Sequence, residues 1–352
     1  MSGALAPGVA HPVHATTRAS ADRHLSGLDL ARGLAAIAVA FFHFTNNGWL
    51  AKEHWMAELG WYGHLGVRAF FVMSGFVVPF AMWRGGYTGQ HFFSFMARRL
   101  ARLYPPYAVS VCLMGAAAVI GGTQVSLGSL AAHAFYLNDL VGSPWLMEVY
   151  WTLAVEVQFY ILIALIWRVV AIGRSWPFAT LAIATVAATF LPWPERSLPN
   201  YFTYFLLGIA AFRWHGEIGP RLINGAVALL ALLAIWRENE LHSACAALLP
   251  LALLVLPVKI PRWGRFLGDV SYSLYLFHMI TGAAFLASLQ AIPISSSLRA
   301  PLVMVAVGIS LGAAWLAFRL IESPAMQWAK RFAYRPGGRL PGVKPAAAAK
   351  IL

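Results

Sequence analysis

Apolar segments of about 17 to 25 residues recur along nearly the whole chain, each long enough to cross a hydrocarbon core of roughly 30 Å as a helix. In lipid every backbone amide must find its partner inside the chain, which leaves helices or a closed barrel. A barrel strand would alternate apolar and polar residues. Stretches such as LINGAVALLALLAIW are instead apolar on every face, so helices are the expectation. Composition agrees: the 352 residues are 60% hydrophobic and 11% charged, with a mean hydropathy of +0.66, far from the balance of a soluble domain. The fold expected is all-α, a polytopic transmembrane bundle of about ten spans. These centre near residues 29–46, 65–83, 104–121, 146–167, 176–192, 200–212, 222–236, 242–257, 266–289 and 300–320.

The formal net charge of +13 raises nucleic acid as a partner, but the basic residues are scattered between the apolar segments and form no single patch. Topology accounts for them better. With the amino terminus inside, 20 Lys and Arg residues fall in cytoplasmic segments and only Lys52, Arg196, Arg237 and Arg299 fall outside. That bias places both termini in the cytoplasm under the positive-inside rule. Residues 1–25 form a polar tail without the apolar core of a secretory signal, residues 26–325 the membrane domain, and residues 326–352 a basic tail rich in proline, glycine and alanine. Cys112 and Cys245 lie in apolar segments with no metal-ligand spacing around them, and are expected to face lipid or packing neighbours.

Ionisable residues at membrane depth cost about 3 kcal/mol or more and mark functional sites. The first span, LDLARGLAAIAVAFFHF, holds Asp29, Arg32 and His43. At about 100° per residue the eleven-residue step from Arg32 to His43 ends roughly 20° past three full turns, so both side chains share a face about 16 Å apart. Asp29 stands one turn before Arg32 and can pair with it; a merely structural Asp–Arg pair with a hydrogen-bonded histidine is the plain alternative. In the second span Ser74 and Gly75 are small residues that let another helix approach. Arg98, Arg99 and Arg102 cluster ahead of Pro105 and Pro106. Guanidinium forks hold phosphates, although topology alone also places arginines there. The fourth span carries Glu148 near one end and Glu156 near its middle, where a carboxylate needs a partner. The ninth, FLGDVSYSLYLFHM, sets Tyr272, Tyr275 and His278 among apolar residues; aromatic packing explains the tyrosines, while His278 is harder to dismiss.

Taken in order, LDLARGLAAIAVAFFHF, FFVMSGF, the Arg-x-x-Arg-x-x-Pro element at Arg99, Arg102 and Pro105, WTLAVEVQFY, YFLLGI, LGDVSYSLYLFH and RLIESP resemble the acyltransferase 3 family of bacterial integral-membrane O-acyltransferases, over about residues 25 to 330. The resemblance implies transfer of an acyl group, commonly acetyl from acetyl-coenzyme A, to a hydroxyl of a cell-envelope glycan or small metabolite at the bacterial cytoplasmic membrane. It marks His43 as the catalytic histidine, ties Arg32, Arg99 and Arg102 to the acyl donor, and puts Glu156 on the family's acidic position. Some relatives append a soluble SGNH-type domain, for which the residues after the last span leave no room.

The expected chemistry has His43 as general base on the acceptor hydroxyl, with Glu148 or Glu156 orienting its imidazole. An acyl-histidine relay is the variant. Acyl-coenzyme A serves as donor substrate, and neither a tightly bound cofactor nor a metal is expected. The competing class is a transporter that uses buried charges as a pathway; against it stand the arginine cluster, the one-face Arg–His spacing and the lack of an inverted repeat.

Overall fold

The computed structural model describes residues 13–171, 173–255 and 260–332, with side chains masked at a few of these positions, and every regular element among them is helical. The main helices are α1 (Val13–Thr45), α2 (Gly66–Arg84), α3 (Phe92–Ile120), α4 (Trp151–Leu165), α5 (Ser175–Ala188), α6 (Leu198–His215), α7 (Arg221–Val255), α8 (Arg262–Phe277) and α9 (Ser296–Ala317). Short helical turns join them. Residues 13–25, expected as part of a polar tail, already belong to α1. The side chains of Arg18 and Arg23, residue Lys259 and the tail beyond 332 lie outside the described residues.

Among the described residues five segments are long and apolar enough to cross a membrane: Gly27–Thr45, Trp55–Arg84, Gly89–Ile120, Glu148–Leu165 and Ser296–Phe332. A sixth forms if Arg262–Phe277 and Met279–Ser288, which meet at a 52° bend, count as one span. These match six of the ten windows expected. The other four fall on α5, α6 and α7, for identifiable reasons. Helix α5 has 14 residues, about 21 Å of rise against a core of roughly 30 Å. Helix α6 ends on Arg213 and His215 and is buried along most of its length, as a core element of the bundle. The windows at 222–236 and 242–257 share the single helical element α7, where a loop at Arg237 was expected.

Close approach of backbones fixes where the helices cross. A Cβ on Gly75 would lie 2.2 Å from the Phe205 carbonyl oxygen, and one on Gly208 would lie 2.1 Å from that of Val72. Helices α2 and α6 therefore touch backbone to backbone, the contact that small residues permit. Around it Phe71, Phe76, Phe159 and Phe205 build the main core. On the other side α1 and α8 meet at Gly268, whose Cβ would fall 2.6 Å from the Asp29 carbonyl oxygen. With α3 and α4 closing the gap, these pairs surround a polar interior.

Candidate functional site

The residues singled out in sequence divide between two adjoining chambers. The first has an empty volume of ≈ 890 Å³, and Arg32, Ser74, Arg99, Arg102, Glu156, Tyr272 and Tyr275 all contribute to its wall. They arrive from α1, α2, α3, α4 and α8, so no single segment carries the site. Glu156 is the anchor. Its Oε1 accepts hydrogen bonds from Ser74 Oγ at 3.0 Å and from Tyr160 OH at 2.5 Å. The Arg99 guanidinium lies 5.5 Å from the Tyr160 ring centroid and 5.6 Å from that of Phe95, over two rings that meet edge to face. Tyr272 OH donates to the Leu103 carbonyl at 2.7 Å, tying α8 to the turn of α3 that bears Arg102. Asp29 stands beside Arg32, with Oδ1 3.8 Å from Nη1, but it does not line the chamber. Three guanidinium groups against one carboxylate leave this cavity with a surplus of positive charge, suited to an anionic ligand.

The second chamber, of ≈ 870 Å³, is lined by His43, His64, Arg68, Glu148, Trp151 and Tyr201 among others. Both chambers share Val67, Thr152 and Tyr275. These three form a common wall, in which the hydroxyls of Thr152 and Tyr275 lie 2.7 Å apart. Tyr275 OH also reaches the Val149 carbonyl at 3.1 Å. Arg32 and His43, although they share a helical face, thus open into neighbouring spaces.

Two expectations need correction. Neither carboxylate reaches His43. Glu156 sits across the common wall, bound to Ser74 and Tyr160. Glu148 shares the His43 chamber but is turned to Arg196, with Oε2 2.7 Å from Nη2 and its side chain 67% exposed. Ser74 likewise does more than pack, since its hydroxyl holds Glu156; Gly75, next to it, takes the packing role. What adjoins His43 is His278, with ring centroids 5.2 Å apart.

Several side chains that sequence reading passed over belong here. Tyr160 and Thr152 lie four residues after and before Glu156, on the same helical face, a signal available in the sequence. Arg68, a charge in the second apolar segment, lines the His43 chamber and donates to Ser243 Oγ at 2.6 Å. Glu322 is 1% exposed, accepts from Ser273 Oγ at 2.7 Å and lies within electrostatic range of Arg102 and Arg32. A carboxylate in the last apolar span was the sign it gave. Among the described residues no three His, Cys, Asp or Glu side chains are grouped to hold a metal ion.

Comparison with known proteins agrees with the membrane architecture. A family model described as an acyltransferase domain matches residues 25–319. Over 349 residues the chain is 26% identical to a protein of Komagataeibacter xylinus named as membrane-bound transacylase BcsY, covering 86% of this chain and 83% of that one. A protein of Acidianus two-tailed virus named as acetyltransferase ORF330 is 24% identical over 300 residues, 76% of this chain and 85% of its own. The O-acetyltransferase OatA of Staphylococcus aureus is 29% identical over 162 residues, 41% of this chain and 25% of the relative. No solved structure matches.

Proposed function

The chain belongs to the acyltransferase 3 family, and from that premise we propose that it is a membrane O-acyltransferase moving an acyl group, acetyl in the first instance, from acyl-coenzyme A to a hydroxyl of a glycan or small metabolite. The observation that carries this reading is the pair of chambers of unlike chemistry meeting at one wall. Coenzyme A is a polyanion at one end and a thioester at the other. Arg32, Arg99 and Arg102 suit its phosphates, with Asp29 beside Arg32 and the Tyr160 that Glu156 holds against Arg99. The thioester then lies toward Tyr275 and Thr152, and the acceptor enters on the His43 side.

His43 takes the proton from the acceptor hydroxyl as its oxygen attacks the thioester carbonyl. The tetrahedral intermediate expels the coenzyme A thiolate, and the imidazolium returns the proton to that sulfur. An ester bond forms and a thioester bond breaks, with no net change in protons. We place the arginine end of the bundle at the cytoplasmic face, both termini inside, in a bacterial cytoplasmic membrane, because acyl-coenzyme A is a cytoplasmic metabolite and the basic residues concentrate at that end. Termini on one side require an even number of spans. Six satisfies that, and so does ten.

The test is His43→Gln, measured by acyl transfer from labelled acetyl-coenzyme A alongside coenzyme A binding at equal membrane expression. Glutamine keeps hydrogen-bonding capacity but cannot serve as base near neutral pH. Transfer should fall by about a hundredfold or more, the lower range for acid–base catalysis. Coenzyme A binding should persist, because His43 does not line the arginine chamber. Near-normal turnover would remove His43 from the chemistry. Movement of the acceptor across the membrane without acylation would assign the chain to transport instead.

A further inference from the structure

His278 has no exposed surface. It follows α8 immediately and opens the π-helical turn Met279–Ala283, where the chain bends by 52°. The Ala283 amide donates back to its carbonyl at 3.1 Å, the long-ring bond of a π-bulge, a feature that recurs at functional sites. Its Nδ1 lies 2.9 Å from the Tyr275 carbonyl oxygen and 3.2 Å from that of Leu274. Carbonyls only accept, so Nδ1 carries the hydrogen and Nε2 of the neutral ring is left as a bare acceptor. That nitrogen is buried and has no hydrogen-bond partner.

The surroundings narrow what could satisfy it. Phe44, with its centroid 6.0 Å away, has nothing to donate. The Tyr275 hydroxyl is engaged by Thr152 and Val149, and the Thr281 hydroxyl by Phe277 and Ser310. His43 remains, with its centroid at 5.2 Å and its plane inclined by 38°. Two imidazoles joined by an N–H···N bond sit at about this separation: an N···N distance of roughly 3 Å plus a ring radius of about 1.1 Å at each end. His43 makes no hydrogen bond among the described residues, and a turn of its ring is all that separates one of its N–H groups from Nε2 of His278.

We propose that His278 is the positioning residue for His43: its Nε2 accepts one N–H of the His43 imidazole, so that the other nitrogen presents its lone pair to the acceptor chamber. The proposal rests on the reading of His43 as general base. It fills the role for which no carboxylate is in reach, and does so with a neutral group. No proton leaves His278. Its Nδ1–H stays on the backbone carbonyls, and Nε2 accepts from His43 whether that ring is neutral or protonated. The π-turn and the bend make this arrangement, because they swing the end of α8 against α1 at the level of His43.

Two variants separate positioning from packing. His278→Phe keeps a ring of similar size without the acceptor; His278→Gln supplies an amide for the backbone carbonyls and an oxygen for His43. Turnover should fall by about tenfold or more in His278→Phe, the scale of losing a group that orients an imidazole, with KM for acetyl-coenzyme A unchanged. His278→Gln should recover most of it. In a His43→Gln background His278→Phe should cost nothing further, since both act through one ring. Protein labelled with 15N at imidazole should show one His43 tautomer in the wild type and in His278→Gln, and a mixture in His278→Phe. Equal losses in the two variants, additive losses in the double variant, or a single His43 tautomer in His278→Phe would overturn the role of His278 and leave His43 in place. If His278→Phe does not insert, a mixture of His43 tautomers in His278→Gln overturns it alone. Unaltered turnover in His43→Gln on its own would overturn the catalytic reading beneath it.

Discussion

Replacing Arg99 and Arg102 by lysine tests whether the positive chamber holds the acyl donor or only orients the chain in the membrane. Lysine keeps the charge, so the bias that sets topology is preserved, but the planar fork is lost. The structure says what else is lost at Arg99. Its guanidinium lies over the edge-to-face pair of Phe95 and Tyr160, at 5.6 and 5.5 Å from their centroids, and Tyr160 is itself bonded to Glu156. A lysine ammonium on its narrower stem covers these rings less well than the guanidinium plane, so the substitution also loosens the partner of Glu156. A charge-assisted hydrogen bond contributes about 1.5–3 kcal/mol, or roughly 10- to 150-fold in affinity. One such bond lost per arginine predicts that the apparent KM for acetyl-coenzyme A rises by about tenfold or more in each single variant. The double variant should fall short of the product, because the two guanidinium groups share one ligand. Donor saturation curves at fixed acceptor concentration measure this, with kcat expected to change less than KM. Unchanged donor saturation in the double variant would show that these arginines serve orientation alone.

The crossing of α2 and α6 predicts that Gly75→Leu cannot be accommodated, since even a Cβ would meet the Phe205 carbonyl at 2.2 Å; overpacking costs about 1–3 kcal/mol or more, and thermal unfolding in detergent should begin well below wild type. Cysteines introduced at Gly89 and Ser126, after Cys112 and Cys245 (both exposed) are replaced, should label from opposite sides of the membrane. Labelling of both by an impermeant reagent on intact cells would refute the proposed topology. His133, outside the spans, is fully buried, its Nδ1 2.7 Å from the Ser129 carbonyl while its Nε2 accepts from the Leu146 amide. Burial holds this imidazole below its ordinary range, against a smaller opposing effect of the Ser129 carbonyl. The unfolded segment therefore binds more protons than the folded one, and the stability His133 contributes is present above about pH 6.5 and falls as pH drops through that value. Proteolysis of the segment 122–146 should accelerate on acidification, and His133→Phe should abolish that dependence.

How much of this was legible in the sequence depends on how locally each feature is encoded. Hydropathy gave the helical class because satisfying the backbone in lipid is a demand made segment by segment. Its ten windows exceed the six segments long and apolar enough to cross a membrane among the described residues, because helices can be apolar for a different reason: α6 is enclosed by protein, and a window average does not distinguish lipid from a protein core. Candidate site residues such as Arg32, Arg99, Arg102 and Glu156 stood out because a charge in an apolar run is conspicuous one residue at a time. Their partners did not. Ser74 and Tyr160 meet Glu156 through contacts between α2 and α4 and along one face of α4, and a serine or tyrosine in an apolar span raises no alarm by itself.

The division into two chambers was the least legible feature, and the reason is geometrical. Helical periodicity shows that Arg32 and His43 share a face, but it is silent on what other helices insert along the roughly 16 Å between them. Here α4 and α8 place Thr152 and Tyr275 across that gap. The wall explains why the carboxylate nearest in sequence logic, Glu156, is unavailable to His43, and why another neighbour must orient the ring. It also sets a condition on turnover: the acyl carbon has to pass, or be presented at, the level of the Thr152–Tyr275 contact. On the proposed reading, a coenzyme A with its phosphates on the arginines would deliver only its narrow thioester end there, so that the wall would admit the acyl group and keep the polyanion and the acceptor on opposite sides.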